Sequence, residues 1–267
     1  MMKISVYILL LISLVACSGE NILDDKGQEG KDAGRFELAL SGGASTRAVT
    51  SVITKEEADN FLITIYKGAD VFRATAALKD IDTKLPAGLG YSLTAENCSA
   101  SVAESSNGGW GQRRYKGQSD AFVIKPGETT RVSVSCPVVN AGLCVVFDDS
   151  FTNYYTRSYK VTTNDARALV FDKANQAVEG AEGELVSGSI AYYNTDDAGL
   201  CPVDVVIAGQ AGSEEPEIKS GQVTLKRGKI TRLTVRKAGT PDDTGEISVS
   251  ISYDDTFSVI EEDCILE

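Results

Sequence analysis

Histidine is absent from this 267-residue chain. That removes Ser–His and Cys–His nucleophile pairs, histidine metal sites and the commonest general base. An enzyme would have to work with carboxylates alone, and no catalytic residue, metal ligand or cofactor is assigned. Basic clusters are missing as well. The chain has 26 basic and 38 acidic residues, a net charge of −12, a balance that repels nucleic acid and anionic lipid. There is no C-x-x-C pair and no G-x-x-x-x-G-K-[ST] loop to cradle a phosphate. Six prolines and 25 glycines suit a loop-rich globular protein rather than a disordered one.

The uncharged run Ile4–Ala16 has thirteen residues. As a helix it would span about 20 Å, short of a hydrocarbon core of about 30 Å. With Lys3 before it and small residues after it, the run reads as a secretory signal, residues 1–16. Leu14-Val15-Ala16-Cys17 resembles the lipobox of bacterial lipoproteins. That resemblance implies cleavage before Cys17 and acylation of its thiol, with the membrane as partner through the lipid anchor. Residues 17–34 are polar, charged and glycine-rich and form a flexible tether.

Beyond the tether the dominant period is two. FELAL, FLITIY, AFVIK, RVSVS, LCVVF, VDVVIA, QVTLK and ISVSISY are short apolar-alternating runs separated by Gly, Asn and Asp turns. The one helical signal is TKEEADNF, with Thr54 as N-cap and Glu57 at the capping-box position. Many short strands without alternating helices predict an all-β chain of two tandem antiparallel β-sandwiches. KPGETTRVSV at 125–134 repeats as KRGKITRLTV at 226–235, and FDDSF at 147–151 resembles YDDTF at 253–257. Duplicated architecture is therefore expected, with sandwiches over 35–138 and 139–267 and a C-terminal strand in the second.

Several residues invite chemistry. The paired aspartates at 148–149, 196–197, 242–243 and 254–255 read as calcium ligands or as turn formers, and the second is the commoner use. Cys98, Cys136, Cys144, Cys201 and Cys264 are either buried small hydrophobes or include a Cys98–Cys136 disulfide. Trp110 and Tyr115, in SSNGGWGQRRYKG, could present an aromatic surface to a sugar or a protein. The alternative is that Trp110 packs over an open end of the first sandwich.

The order of these motifs is similar to that of fimbrillin-like lipoproteins of gut anaerobes, usually described as cell-adhesion proteins. They are Ser45-Thr46-Arg47-Ala48, Trp110-Gly111 to Tyr115 and Gly117, and Gly127 to Val134. More narrowly the chain resembles an uncharacterised lipoprotein family with that S-T-R-A and W-G-x-x-x-Y-x-G pattern. The resemblance implies transthyretin-like or Ig-like sandwiches, an outer-membrane lipoprotein at the cell surface or in a fimbrium, and cleavage at Arg47–Ala48. It further implies loss of the strand carrying Phe36, Leu38 and Leu40. A terminal strand of the next fimbrial subunit would fill the groove by strand exchange. Ile247, Val249, Ile251 and Tyr253 alternate as such a donor strand requires. Two functions stand side by side. One is a fimbrial or adhesion subunit, or its anchor or accessory protein; the other is a surface lipoprotein that binds a host glycan or protein without polymerising. Acylation of Cys17 is checked by detergent-phase partition: the native chain enters the detergent phase, and Cys17→Ala moves it to the aqueous phase.

Overall fold

The computed structural model describes residues 32–42, 53–179, 185–237, 247–254 and 259–264. The expected signal, Cys17 and the Arg47–Ala48 bond lie outside the described residues. The fold is all-β, as its period predicts, with three short α-helices and two single 3-10 turns among the described residues.

A first set of elements runs β1 (Ala33–Gly42), α1 (Lys55–Asp59), β2 (Leu62–Lys67), β3 (Asp70–Ala77), β4 (Lys84–Pro86), β5 (Gly88–Glu96), α2 (Ala100–Ser105), β6 (Lys116–Gln118), β7 (Phe122–Ile124) and β8 (Thr129–Cys136). One sheet has the order β4-β1-β8; the other has β3-β2-β5-β6, with β7 also on β5. Alternation decides which faces meet. Ile63 and Ile65 of β2, Tyr91, Leu93 and Ala95 of β5, Phe36 of β1 and Val132 and Val134 of β8 form one buried cluster. The capping box at α1 is present: Glu57 N–H donates to Thr54 Oγ1 and Thr54 N–H to the Glu57 carboxylate.

A second set runs β9 (Asn140–Phe147), α3 (Asp149–Tyr154), β10 (Ser158–Thr163), β11 (Val170–Phe171), β12 (Val178–Glu179), β13 (Leu185–Ser187), β14 (Ala191–Asn194), β15 (Leu200–Gln210), β16 (Glu217–Lys226), β17 (Ile230–Lys237), β18 (Ile247–Asp254) and β19 (Val259–Cys264). Its main sheets are β14-β9-β17-β18-β19 and β11-β10-β15-β16. Between them lies a separate cluster that includes Leu143, Val145, Phe151, Val161, Val205, Ile207, Leu225, Leu233 and Val235.

The two sets share one frame. In each, the first strand pairs antiparallel with a short strand (β4 or β14) and parallel with the strand after the K-x-G turn (β8 or β17). In each, the second strand (β2 or β10) pairs antiparallel on both sides, with β3 and β5 or with β11 and β15. The match extends to single hydrogen bonds. Gly127 N–H donates to Ala33 O (2.9 Å) and Arg35 N–H to Glu128 O (2.9 Å). Gly228 N–H donates to Asn140 O (2.8 Å) and Gly142 N–H to Lys229 O (2.9 Å). The parallel pairs depart from the purely antiparallel expectation, because the first strand of a frame meets its last strand rather than a hairpin neighbour.

The second expected echo does not belong to the duplication. FDDSF ends β9 and caps α3 through Asp148, whereas Tyr253-Asp254 ends β18. β18 and β19 have no counterpart among the described strands of the first frame. Two of these aspartates cap their own turns: Asp148 accepts from Ser150 N–H (2.9 Å), with Arg236 of the strand at 230–237 3.7 Å from its other oxygen, and Asp196 accepts from Leu200 N–H (2.8 Å). Among the described residues no cluster of acidic or cysteine side chains is arranged to hold a metal ion. Cys98, Cys136, Cys144 and Cys201 are free thiols, the first three buried, and burial pushes the Cys136 thiol up to about 11.

Gly127 and Gly228 sit at φ +70° and +73° at equivalent turn positions, a region that L side chains enter at a cost. Gly127 has open space around it, so Gly127→Ala tests the backbone alone. The expected loss is about 1–2 kcal/mol of stability, read from chemical denaturation.

Candidate functional site

The site singled out by the first-strand argument is the groove that β1 fills. β1 pairs with β8 over eight residues, Arg35 opposite Thr129 through Gly42 opposite Cys136. It pairs with β4 over only three, Ala33 to Arg35. Phe36 is 3% exposed and lies 6.2 Å from the Phe122 ring, while Leu38 and Leu40 pack half-buried on the same cluster. The alternate residues Arg35, Glu37 and Ala39 face solvent. A fully buried side chain of this size contributes about 1.5–3 kcal/mol, so β1 is held by an apolar row as well as by its ladder. Lifting it out would expose that row and leave the inner edge of β8 unpaired.

The other half of the expected exchange, the strand at 247–254, is β18. Here it is an inner strand, paired antiparallel with β17 over eight residues and with β19 over six. Ile247 and Val249 are 5% and 8% exposed within the second cluster. Ile251 and Tyr253 stand opposite Leu233 and Thr231 of β17.

Trp110 and Tyr115 pack on different cores. The Trp110 ring meets Phe171 of the second cluster edge-on, with centroids 5.0 Å apart. Tyr115 packs on the first cluster, and its backbone N–H donates to Asn97 Oδ1 (2.8 Å). Of the two readings of Trp110, packing over an open end of the first sandwich is corrected: the chain at 107–111 turns toward β14, and the ring meets the second cluster. Gly111, at φ +78°, makes the approach possible: a Cβ there would lie 2.9 Å from both Ala103 O and Tyr192 O. Gly117 of the same motif passes so close to β8 that a Cβ would lie 2.1 Å from Ser135 O.

This segment is clasped by side chains from the second frame. Arg167 donates to Gly109 O (3.1 Å) and Tyr192 O (2.8 Å), with its guanidinium 3.8 Å from the Tyr193 ring centroid. Buried Asn140 accepts from Arg114 N–H (3.0 Å) and donates to Gln112 O (2.7 Å). Asn194 donates to Ala100 O and to Glu104 of α2 (both 3.0 Å).

A family model described as a domain of unknown function, DUF4493, matches residues 32–267, which span both frames. The chain belongs to the DUF4493 family. Among solved structures it is similar to a fimbrial assembly protein from Parabacteroides distasonis, with 13% identity and a TM-score of 0.48, covering 87% of this chain and 99% of that one. It is also similar to the fimbrial anchor protein Mfa2 from Porphyromonas gingivalis, with 11% identity and a TM-score of 0.36, covering 85% and 98%. Comparison with curated proteins finds no match.

In this DUF4493 chain the groove is lined by residues that alternate in the sequence, whereas the clasp draws on residues that carry no sequence signal. Asn140 lies at the expected boundary between the two sandwiches, and a buried amide at the start of a strand leaves no periodic signal. Arg167 is one arginine among many until the fold brings it to the 109–111 turn. The groove itself gives a sharp contrast. Phe36→Ala is expected to cost about 3–5 kcal/mol, whereas Glu37→Ala, on the solvent face of the same strand, changes stability by no more than about 0.5 kcal/mol. Denaturant midpoints of the two variants check this.

Proposed function

We propose that this chain is a non-enzymatic cell-surface lipoprotein, a fimbrial or adhesion subunit or the anchor or accessory protein of a fibre, acting by β-strand pairing. The observation that carries the reading is the seat of β1: a strand next to the expected tether, filling an apolar groove between β4 and β8. Such a groove accepts any extended segment with apolar residues at every second position, because the ladder is made by backbone and only the alternation is read. In the proposed sequence of events Cys17 carries the lipid, and the Arg47–Ala48 bond is cut by a trypsin-like protease. The sandwiches over 35–138 and 139–267 then assemble head to tail. Ile247, Val249, Ile251 and Tyr253 supply the donor row.

Cutting after Arg47 does not by itself empty the groove, since Phe36, Leu38 and Leu40 still hold β1 in place. The cut removes the covalent link, and a competing strand then displaces β1. The test is trypsin treatment of the intact lipoprotein at high concentration, followed by mass spectrometry of the new N-terminus and denaturant-resistant ladders on gels. Expected are a free Ala48 terminus and ladders that vanish in Arg47→Ala. If the chain is cut at Arg47 yet stays monomeric, and native surface material keeps an intact Arg47, strand exchange is overturned. The non-polymerising surface binder then takes its place.

A further inference from the structure

Three strand ends of the second frame converge on one carboxylate. Glu217 opens β16, Lys237 closes β17 and Ile247 opens β18. Glu217 Oε1 accepts from the Ile247 backbone N–H (3.2 Å). Its Oε2 accepts from Lys237 Nζ (3.3 Å) and from the Tyr155 hydroxyl. Lys237, whose side chain is only 8% exposed, also donates to Tyr155 Oη (3.1 Å) and lies 4.3 Å from the Tyr154 ring centroid. Burial raises the Glu217 carboxyl, but the bonds from Tyr155, Ile247 and Lys237 outweigh it and hold the group below its ordinary value. It is therefore a carboxylate at neutral pH.

We propose that the β18–β19 hairpin is a detachable arm, and that the Glu217 carboxylate is the latch that keeps its first residue docked. Two independent observations support this. First, the duplication identifies the arm as surplus. The first frame closes its sheet β4-β1-β8 and buries a complete cluster with no described counterpart of β18 or β19. The second frame has the same closing elements before β18 begins. Second, the arm's entry is fixed by a side chain. The Ile247 amide, the first of β18, is satisfied by Glu217, and Glu217 is in turn fixed by a buried ammonium and a phenol. Leaving does uncover Ile247 and Val249, so the docked form is favoured until the latch is lost or another strand replaces the arm on β17.

The inference deepens the strand-pairing reading and rests on it only for its use: a strand given to another copy first has to leave its own sheet. It is tested without any assembly, on the full-length monomer, by hydrogen exchange with mass spectrometry. In the unaltered chain at low denaturant, amides of 247–254 are expected to exchange through their own opening. That opening should depend less on denaturant than that of β9, β10 and β15. In Glu217→Ala, exchange over 247–254 is expected to rise at least tenfold, while β9, β10 and β15 change less than twofold. Glu217→Gln, which keeps an acceptor for Ile247 but loses the ion pair, should give a smaller rise. If the arm and β9, β10 and β15 share one opening in the unaltered chain, the arm is integral and the proposal is overturned. The same holds if Glu217→Ala leaves 247–254 unchanged or loosens the whole frame together. Even if Glu217→Ala does not fold, exchange in the unaltered chain decides whether the arm detaches, and Glu217→Gln, with a rise confined to 247–254 expected and no change overturning it, decides whether Glu217 is the latch.

Discussion

The parallel ladder between the first and last strand of each frame is the constraint on which the other contacts depend. A hairpin forms between neighbours in sequence, but Arg35 meets Thr129 and Gly142 meets Ile230 only after a whole frame has been laid down. Such a closure gains nothing from local turns, and its register has to be set by something else. The K-x-G turn does this. Its glycine N–H takes the carbonyl of the frame's first strand residue, and the next carbonyl takes the N–H two residues further on. One turn thus fixes both where the last strand starts and which face of the first strand looks inward. With Phe36 inward in the first frame, a slip of one residue would turn the apolar row to solvent.

Because the first frame's opening strand is also the first described strand of the chain, the same construction has different consequences in the two halves. β9 is bounded on both sides by folded chain, whereas β1 is approached from a segment read as tether. Asn140 shows how tightly the second frame is bound into its surroundings. Its backbone carbonyl closes the second frame through Gly228, and its side chain holds the 112–114 backbone. The W-G-x-x-x-Y-x-G motif then has a physical explanation without a ligand. Trp110 plugs into the second core, Tyr115 into the first, and the two glycines allow backbone approaches that any side chain would block.

Much of this was legible where a local rule applies. Period-two alternation places Ile63, Ile65, Val205 and Ile207 inside, Thr54 and Glu57 announce a capped helix, and the repeated K-x-G turn announces a repeated frame. What was not legible depends on long-range pairing. Strand direction leaves no mark on alternation, so the parallel pairs looked like any others. YDDTF resembled FDDSF because Asp pairs after an aromatic residue suit any strand end, while only topology separates β9 from β18. Trp110 follows the same rule: composition shows that a tryptophan will bury a face, but the turn at 107–111 decides which core receives it. Glu217 and Lys237, twenty residues apart in sequence, carry no motif at all.

The docked state of β18 also sets a condition on any exchange. A strand that leaves β17 to pair elsewhere gives up one ladder and one apolar row to gain another of similar kind, so transfer between two complete subunits is close to neutral. Direction requires an imbalance. A groove whose own strand has lost its covalent hold supplies one, because the cut strand stays joined to the Cys17 lipid and is no longer tethered to its groove, while the incoming strand stays tethered to its own chain. The effective concentration of the leaving strand falls, and that of the incoming strand, once its frame has docked, rises. In the proposed assembly the Arg47–Ala48 bond would therefore control direction rather than affinity. The Glu217 latch would have the opposite task, keeping the arm at home until a groove worth filling is within reach.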